Sequence, residues 1–553
     1  MTGDLSPALL HALNLVAHVA CAVLTGALAA RAGGNPLLTV PLTSALFTLF
    51  PFATNVVLWV SAISYPLTTG LALGALLVYL RAREQQSTPW HLLALLLTTT
   101  AGLTYEAGVV TGAAIVGAEL VLHHPPYRRW AFAHIIASAI PFAIIMSLST
   151  AVPTEFLTGL HPFYNVVALL QSLAYPVAPL ADLQTMISPI TAMILLSVVT
   201  LAGLAVLNRG REQDHKQLRW FIFSLGWGIL WAVMPLTTQP FNWFRDPTRA
   251  FYAGSAGAAL MWGLSIAGIT RHQGNAWWRR ALQIAMAALA LVPSFFFLRE
   301  VTATHRMTGD LLWQAIETAQ TEPETLVVNL PGRVTPKERT YPLMHEGIIP
   351  LPPPTNSQML VRAHVGEVPT FTGRSMGSIL PPLPYFLELT DPPLTPEDLR
   401  TGYPVKLAIY GAEDMNLQEA GQVLPPQPTG EGLATFRESV RLRSASCRWT
   451  GPTEITVEAE WQALDTMEGM STVFTHWLAK ADGALVTQAD GDPLRGLYPL
   501  ASWQPGEVIQ EVRFIKGATT EGIVALGIWD PASGTRWEAV DAAGEPLPDQ
   551  SYR

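Results

Sequence analysis

The chain has 553 residues, 50% of them hydrophobic and 14% charged, with a formal net charge of −9. That charge is unevenly placed: residues 1–300 carry 15 Lys/Arg and 10 Asp/Glu, leaving 18 basic and 32 acidic residues from 301 onward. The first part has the composition of a membrane domain and the second of an acidic soluble one, which excludes a basic nucleic-acid-binding surface there and, with Cys21 and Cys447 in different parts, a disulfide or metal framework of cysteines.

Apolar runs fall at 9–30, 38–51, 65–82, 91–104, 105–122, 131–150, 185–207, 219–237, 251–270 and 281–298. They predict about ten spans, although several are shorter than the roughly 20 residues that a straight crossing needs. No basic leader precedes the first run, so no cleavable signal peptide is expected. The run 91–122 also reads as one long broken helix, and 38–51 as a short span ended by Pro51.

Basic residues order these runs. Arg81 and Arg83, then Arg128 and Arg129, then Arg209, Arg211, Lys216 and Arg219, then Arg271, Arg279 and Arg280 all fall in loops on one side of a ten-span arrangement. The intervening loops near 52–64, 151–184 and 238–250 carry only Arg245 and Arg249. The positive-inside rule makes the basic side cytoplasmic, so the part after residue 300 follows a span that exits outward. The expected location is a bacterial-type inner membrane, crossed many times, with the C-terminal half extracytoplasmic. The N-terminus also comes out external.

Past the last run, LLWQAIETAQT (310–320) predicts a short amphipathic helix, and TLVVNLP (325–331) and YPVKLAIYG (403–411) predict strands. GIIPLPPPTN (347–356), ILPPLPY (379–385) and VLPPQPTGEG (423–432) are Pro-rich loops. After these, short apolar or alternating stretches between Gly, Asp and Pro turns predict a β-sandwich, with ADG (481–483) as a hairpin turn. The expected division is a membrane domain over 1–300, a mixed α/β segment over 301–435 and the sandwich over 436–553.

Four stretches carry a family resemblance. HALNLVAHVACAVLTGALAAR (11–31), LFTLFPFATNVVLWVSAISYPL (46–67), TYEAGVV (104–110) and WAVMPLTTQPFNWFRDPTRAFYAGSAGAAL (231–260) resemble, in order, segments of the GT-C class of membrane glycosyltransferases. The resemblance is to the protein O-mannosyltransferase-like branch, which uses polyprenyl-phosphate sugars, and it covers roughly the first 300 residues. The last 110 or so residues resemble a β-sandwich appended to some bacterial members. Departures accompany it. Tyr105 stands where the family has Lys. The His-Pro-x-His-x-Glu pattern of close relatives reads Phe50, Pro51, Phe52, Ala53, Thr54, Asn55. The chain begins just before what resembles the family's second helix, so either the start is placed too late or the first helix, and the first external loop that usually carries the catalytic acid, are lacking. Asp4 is the one carboxylate ahead of that helix.

What the resemblance implies is transfer of a sugar from a polyprenyl-phosphate donor to an external glycan or protein hydroxyl. Such transfer needs a carboxylate as general base and cationic or amide groups on the leaving phosphate. Glu106 is the candidate base, acceptor ligand or site-organising acid; alternatively it is a first-turn acid of a helix capped by Thr104. Arg249 and Arg245 are candidate phosphate ligands, or headgroup anchors. Tyr252 and Tyr105 would support the site, Tyr252 alternatively joining the aromatic belt, and Asn55 and Trp59 would line it, with Trp59 also fitting an interfacial anchor. Asn14 and His18, four apart on one helix face, line the cavity or make interhelical hydrogen bonds. His161 precedes an interfacial stretch (163–178). Glu119, near the cytoplasmic end, is expected to be structural.

In the β region Trp461, Trp477, Trp503 and Trp529 form either core or a sugar-stacking platform, and Asp482, Asp490 and Asp492 are weak Ca²⁺ candidates without an EF-type loop. No cofactor is expected; a divalent metal stays open, since no Asp-x-Asp motif lies in an external membrane loop. The partners implied are the lipid-linked donor, the acceptor and the bilayer, with no nucleic acid. The rival reading is a catalytically degenerate, membrane-anchored carbohydrate-binding or envelope-assembly protein. A transporter is a third, disfavoured because no inverted repeat stands out.

Overall fold

The computed structural model describes residues 7–553 apart from 34, 124–127, 149–161, 184–185, 210–214, 239–248, 270–276, 344–346, 353, 381–382 and 519–520. The chain divides into two units, Met1–Ala303 with Glu338–Ile348, and Thr304–Lys337 with Ile349–Arg553.

Every apolar run carries a helix. In chain order these are α1 (Pro7–Ala32), α2 (Pro36–Thr48), the short α3 (Thr54–Leu58), α4 (Ser64–Gln85), α5 (Thr88–Thr104), α6 (Thr111–Leu122), α7 (Arg128–Leu148), α8 (Pro162–Leu173), α9 (Pro189–Asn208), α10 (Lys216–Thr238), α11 (Tyr252–Gly268) and α12 (Trp277–Thr321). Among the described residues five helices are long and apolar enough to cross a membrane, and a sixth crossing results if the pair Pro36–Thr48 and Pro51–Leu58, bent by 55°, counts as one. The bend sits where the sequence demands it: Pro51 has no N–H to donate and pushes Phe50 into an extended conformation.

The helix ends sort by charge. Arg31 at the end of α1 pairs with Glu84 of α4 at 2.7 Å. Arg83 of α4 pairs with Glu119 of α6 at 3.2 Å, and Tyr79 donates to the same carboxylate at 2.9 Å. Glu119 is fully buried, so these partners are what make its charge tolerable, in line with the structural role expected of it. The end of α9 joins the end of α11 through Asn208 and Ser265 at 2.8 Å. The end of α11 also lies near the start of α10, where Gly268 faces Gln217. The ends of α1, α4, α6, α9 and α11 and the start of α10 therefore share one end of the bundle, the basic one. Close approach of α10 and α11 depends on small residues: a Cβ at Gly257 would lie 2.4 Å from the Ser224 carbonyl oxygen.

A segment that reads as part of the soluble half belongs to this helical unit. Tyr341, fully buried, packs edge-on against Phe52 and Phe297 at 4.8 and 5.2 Å between centroids. Leu343 donates its N–H to the buried Gln171 side chain at 3.1 Å, and Arg339 pairs with Asp182 at 3.2 Å.

The second unit is β-rich. Its strands are β1 (Leu326–Val328), β2 (Pro331–Pro336), β3 (Thr372–Arg374), β4 (Tyr385–Leu389), β5 (Val405–Tyr410), β6 (Met415–Leu424), β7 (Ala434–Phe436), β8 (Val440–Gly451), β9 (Glu454–Ala463), β10 (Thr472–Ala479), β11 (Leu485–Gln488), β12 (Val508–Lys516), β13 (Gly522–Asp530), β14 (Thr535–Arg536) and β15 (Ala539–Asp541), with helices α13 (Ser357–Val365) and α14 (Pro396–Leu399). One nine-stranded sheet has the order β15-β7-β8-β9-β12-β6-β5-β1-β3, and a four-stranded sheet the order β11-β10-β13-β14. β1 pairs in parallel with β3 and β5; β12 pairs antiparallel with β6 on one side and β9 on the other. Pairing thus runs across the expected boundary at 435. The expected helix at 310–320 is present as the end of α12, whose Leu311, Ala315 and Ala319 pack with Val327, Val334 and Phe371. The hairpin over 479–485 turns at Gly483, whose φ of +72° suits glycine.

Candidate functional site

The residues of interest in the helical unit gather at the end opposite the basic clusters. The broken segment after α2 runs through a turn at Pro51–Ala53, α3 and a second turn at Val60–Ala62. Buried Asn14, in the first turns of α1, holds that segment in place. Its amide nitrogen lies 2.6, 3.0 and 3.2 Å from the carbonyl oxygens of Val56, Val57 and Trp59. Arg249, just ahead of α11, lays its guanidinium over the half-buried Trp59 ring at 4.9 Å from the centroid.

One turn deeper, buried His18 pairs through Nδ1 with the Tyr252 hydroxyl at 2.9 Å and stacks on Phe47 at 5.3 Å. Tyr252 meets Phe47 edge-on at 5.7 Å. This cluster locks α1, α2 and α11 together. Asn55 is buried in α3, and its carbonyl accepts the Trp59 N–H at 2.9 Å.

Glu106 opens a single 3₁₀ turn, Glu106–Val110, between α5 and α6, and its side chain is exposed. Thr104 does not cap the following helix, as one reading expected; its hydroxyl bonds back to the Thr100 carbonyl at 2.8 Å. The break folds tightly onto α5, since a Cβ at Gly108 would lie 2.0 Å from the Ala101 carbonyl oxygen. The residue that ties Glu106 to the rest is one the sequence did not single out. Tyr65, at the start of α4, meets Tyr105, the neighbour of Glu106 in sequence, hydroxyl to hydroxyl at 2.8 Å. Tyr65 follows the Trp59 segment directly in sequence, so the two halves of the site are neighbours along the chain. Among the described residues no ion pair joins Glu106 to Arg249. Arg245 and His161 lie outside the described residues.

Chemically, the arrangement offers an exposed carboxylate next in sequence to one of two paired phenol hydroxyls, and a guanidinium over an indole ring. The stretch Phe50–Asn55 is packing: Phe50 and Phe52 meet each other and Tyr175 and Tyr341 edge-on. Among the described residues no group of three His, Cys, Asp or Glu side chains is placed to hold a metal ion.

In the β-rich unit Trp461, Trp477 and Trp503 are buried core residues, which leaves no shared surface platform for them; Trp529 is half-buried, and Trp449 and Trp313 are exposed. Asp490 bonds the Thr475 N–H and His476, and burial raises the Asp492 carboxyl above its usual range.

No protein-family model, no curated protein and no solved structure matches this chain.

Proposed function

We propose that the chain is a polytopic, GT-C-like membrane glycosyltransferase that moves a sugar from a polyprenyl-phosphate donor to an extracytoplasmic hydroxyl. In this reading the helical unit crosses the membrane about ten times, the basic end is cytoplasmic, and the β-rich unit is an extracytoplasmic β-sandwich. Support for the sandwich is a shared core in which Trp461 and Ile509 of the large sheet pack with Val473, Trp477 and Ile528 of the small one. The observation that carries the functional reading is the co-location of exposed Glu106 and ring-stacked Arg249 at the bundle end away from the basic loops.

The roles follow from chemistry. Glu106 takes the proton of the acceptor hydroxyl as its oxygen bonds to the anomeric carbon. The bond from that carbon to phosphate oxygen breaks, and polyprenyl phosphate leaves with the electron pair. Arg249 stabilises the phosphate, its planar fork suited to two oxygens and its stacking face already occupied by Trp59. The test is release of radiolabel from polyprenyl-phosphate sugars by membranes carrying the chain or its Glu106→Gln variant. Release by the wild type and not by the variant is expected; equal release by both would remove Glu106 from the role.

A specific observation favours a second reading, a non-catalytic, membrane-anchored carbohydrate-binding or envelope-assembly protein. The stretch resembling the family's ionisable motif is packed as aromatic core, and Glu106 has no cationic partner among the described residues. No release with any donor supports this alternative.

A further inference from the structure

At the basic end of the helical unit lies a concavity of about 440 Å³ that the site above does not use. Among the described residues three cationic side chains, Arg31, Lys216 and Arg219, line it together with the imidazoles of His123 and His215. Its floor is apolar, formed by Leu80, Leu122 and Trp220, of which Leu80 and Trp220 are buried. Among the described residues one carboxylate lines it, Glu84, and that group is already engaged by Arg31 at 2.7 Å. The nearby Glu119 is spent on Arg83, Tyr79 and His123. Half-buried Arg219 makes no side-chain hydrogen bond or ion pair with any described residue.

Cations scattered singly around helix ends serve as headgroup anchors and imply no site. Here they come from the end of α1 and the start of α10, and converge on one apolar-floored hollow. We infer that this hollow binds the phosphate-bearing headgroup of an anionic phospholipid in the leaflet on the basic side. Arg219 and Lys216 hold the phosphate oxygens, and Leu122 and Trp220 receive the glycerol and first acyl carbons. The hollow's size suits such a group, and basic pockets between helix ends at headgroup level are where anionic lipids are recognised. The inference rests on the membrane character of the helices and is independent of glycosyl transfer.

The experiment is native mass spectrometry of the full chain purified in detergent and offered equal amounts of phosphatidylglycerol and phosphatidylcholine. Preferential retention of phosphatidylglycerol is expected. The double variant Lys216→Gln/Arg219→Gln should retain it about thirtyfold less, the scale set by two lost cation contacts of about 1 kcal/mol each. The control Arg279→Gln/Arg280→Gln, at the same end outside the hollow, should retain it as the wild type does. Equal retention of the two lipids, or equal loss in both variants, overturns the proposal. So does removal of the lipid by millimolar inorganic phosphate, which would mark the hollow as a free-phosphate site. Should the double variant fail to purify, the single Arg219→Gln carries the same comparison.

Discussion

Arg249 and Trp59 form a cation–π pair at 4.9 Å, and the backbone carbonyl of that same Trp59 lies within hydrogen-bonding reach of the Asn14 amide. A buried amide on α1 thus sets the angle at which a guanidinium before α11 is presented. Arg249→Lys keeps the charge and loses the planar stack and the two-pronged fork. In the transfer assay it should lower kcat/KM about tenfold, matching a contact of about 1–2 kcal/mol, with part of the loss in kcat because the phosphate gains charge as it leaves. Trp59→Leu should give the same pattern. An unchanged kcat/KM in both would reduce the pair to an interfacial anchor.

Gly108 and Gly117 make a matched test of the break at Glu106. A Cβ at Gly108 meets the Ala101 backbone at 2.0 Å, whereas at Gly117, within α6, it meets nothing within 4 Å. Backbone cannot swing aside as a side-chain tip can. Gly108→Ala should therefore cost about 1–3 kcal/mol or more and lower the detergent-solubilised Tm. Gly117→Ala should hold or raise it, by up to the ~1 kcal/mol difference in helix propensity. Comparable losses in both variants would show that the tight break is not what the glycine serves.

The apolar runs announced the helices, because hydropathy is a local property and each run is long enough to read. The basic clusters announced which helix ends meet, because Arg31, Arg83 and Lys216 sit where chain direction reverses. Tyr341 was not legible. It lies between the strand at 325–331 and the first Pro-rich loop and reads as soluble, and its burial depends on Phe52 and Phe297, both in the apolar part of the chain. The β12–β6 pairing was equally hidden, since register between distant strands leaves no mark in either strand alone. In the site, Asn14 and His18 were legible as polar residues on one face of a span. Which partners they take was not, and Tyr65 gave no signal beyond being a tyrosine at a helix start.

In the β-rich unit Glu511 and Arg513 are both buried and pair at 2.6 Å. Arg513 also donates to the carbonyls of Ala489 and Gly491 at 2.5 and 2.6 Å, and Glu511 accepts from the Trp461 indole N–H at 3.1 Å. Arg513→Met strands a buried carboxylate and should destabilise by about 3–5 kcal/mol in denaturant melts followed by tryptophan fluorescence. Adding Glu511→Gln should restore part of that loss, because the amide needs no counter-charge. If the double variant is no more stable than Arg513→Met alone, the unpaired Glu511 carboxylate is not the cause of the loss.

Asp398 gives the unit a pH signature. Burial acts to raise its carboxyl, but bonds from Arg374 and from the Thr395 N–H and hydroxyl outweigh it and hold it below the ordinary range. A carboxyl depressed in the folded state adds stability above the unfolded value of about 3.9, and that stability is lost as pH falls through the lower folded value. Asp391 works in the opposite sense: burial raises it, which the Ser357 bonds only partly offset, so it favours the folded state more as pH drops. The whole-chain acid profile mixes the two, and a difference isolates one. The Tm of the wild type should exceed that of Asp398→Asn at pH 7 by about 2–4 °C, the shift for about 1 kcal/mol in a unit of this size. That gap should shrink toward zero as pH falls below about 4. A gap constant from neutral to acid pH would mean that Asp398 contributes its hydrogen-bond geometry alone, without its charge.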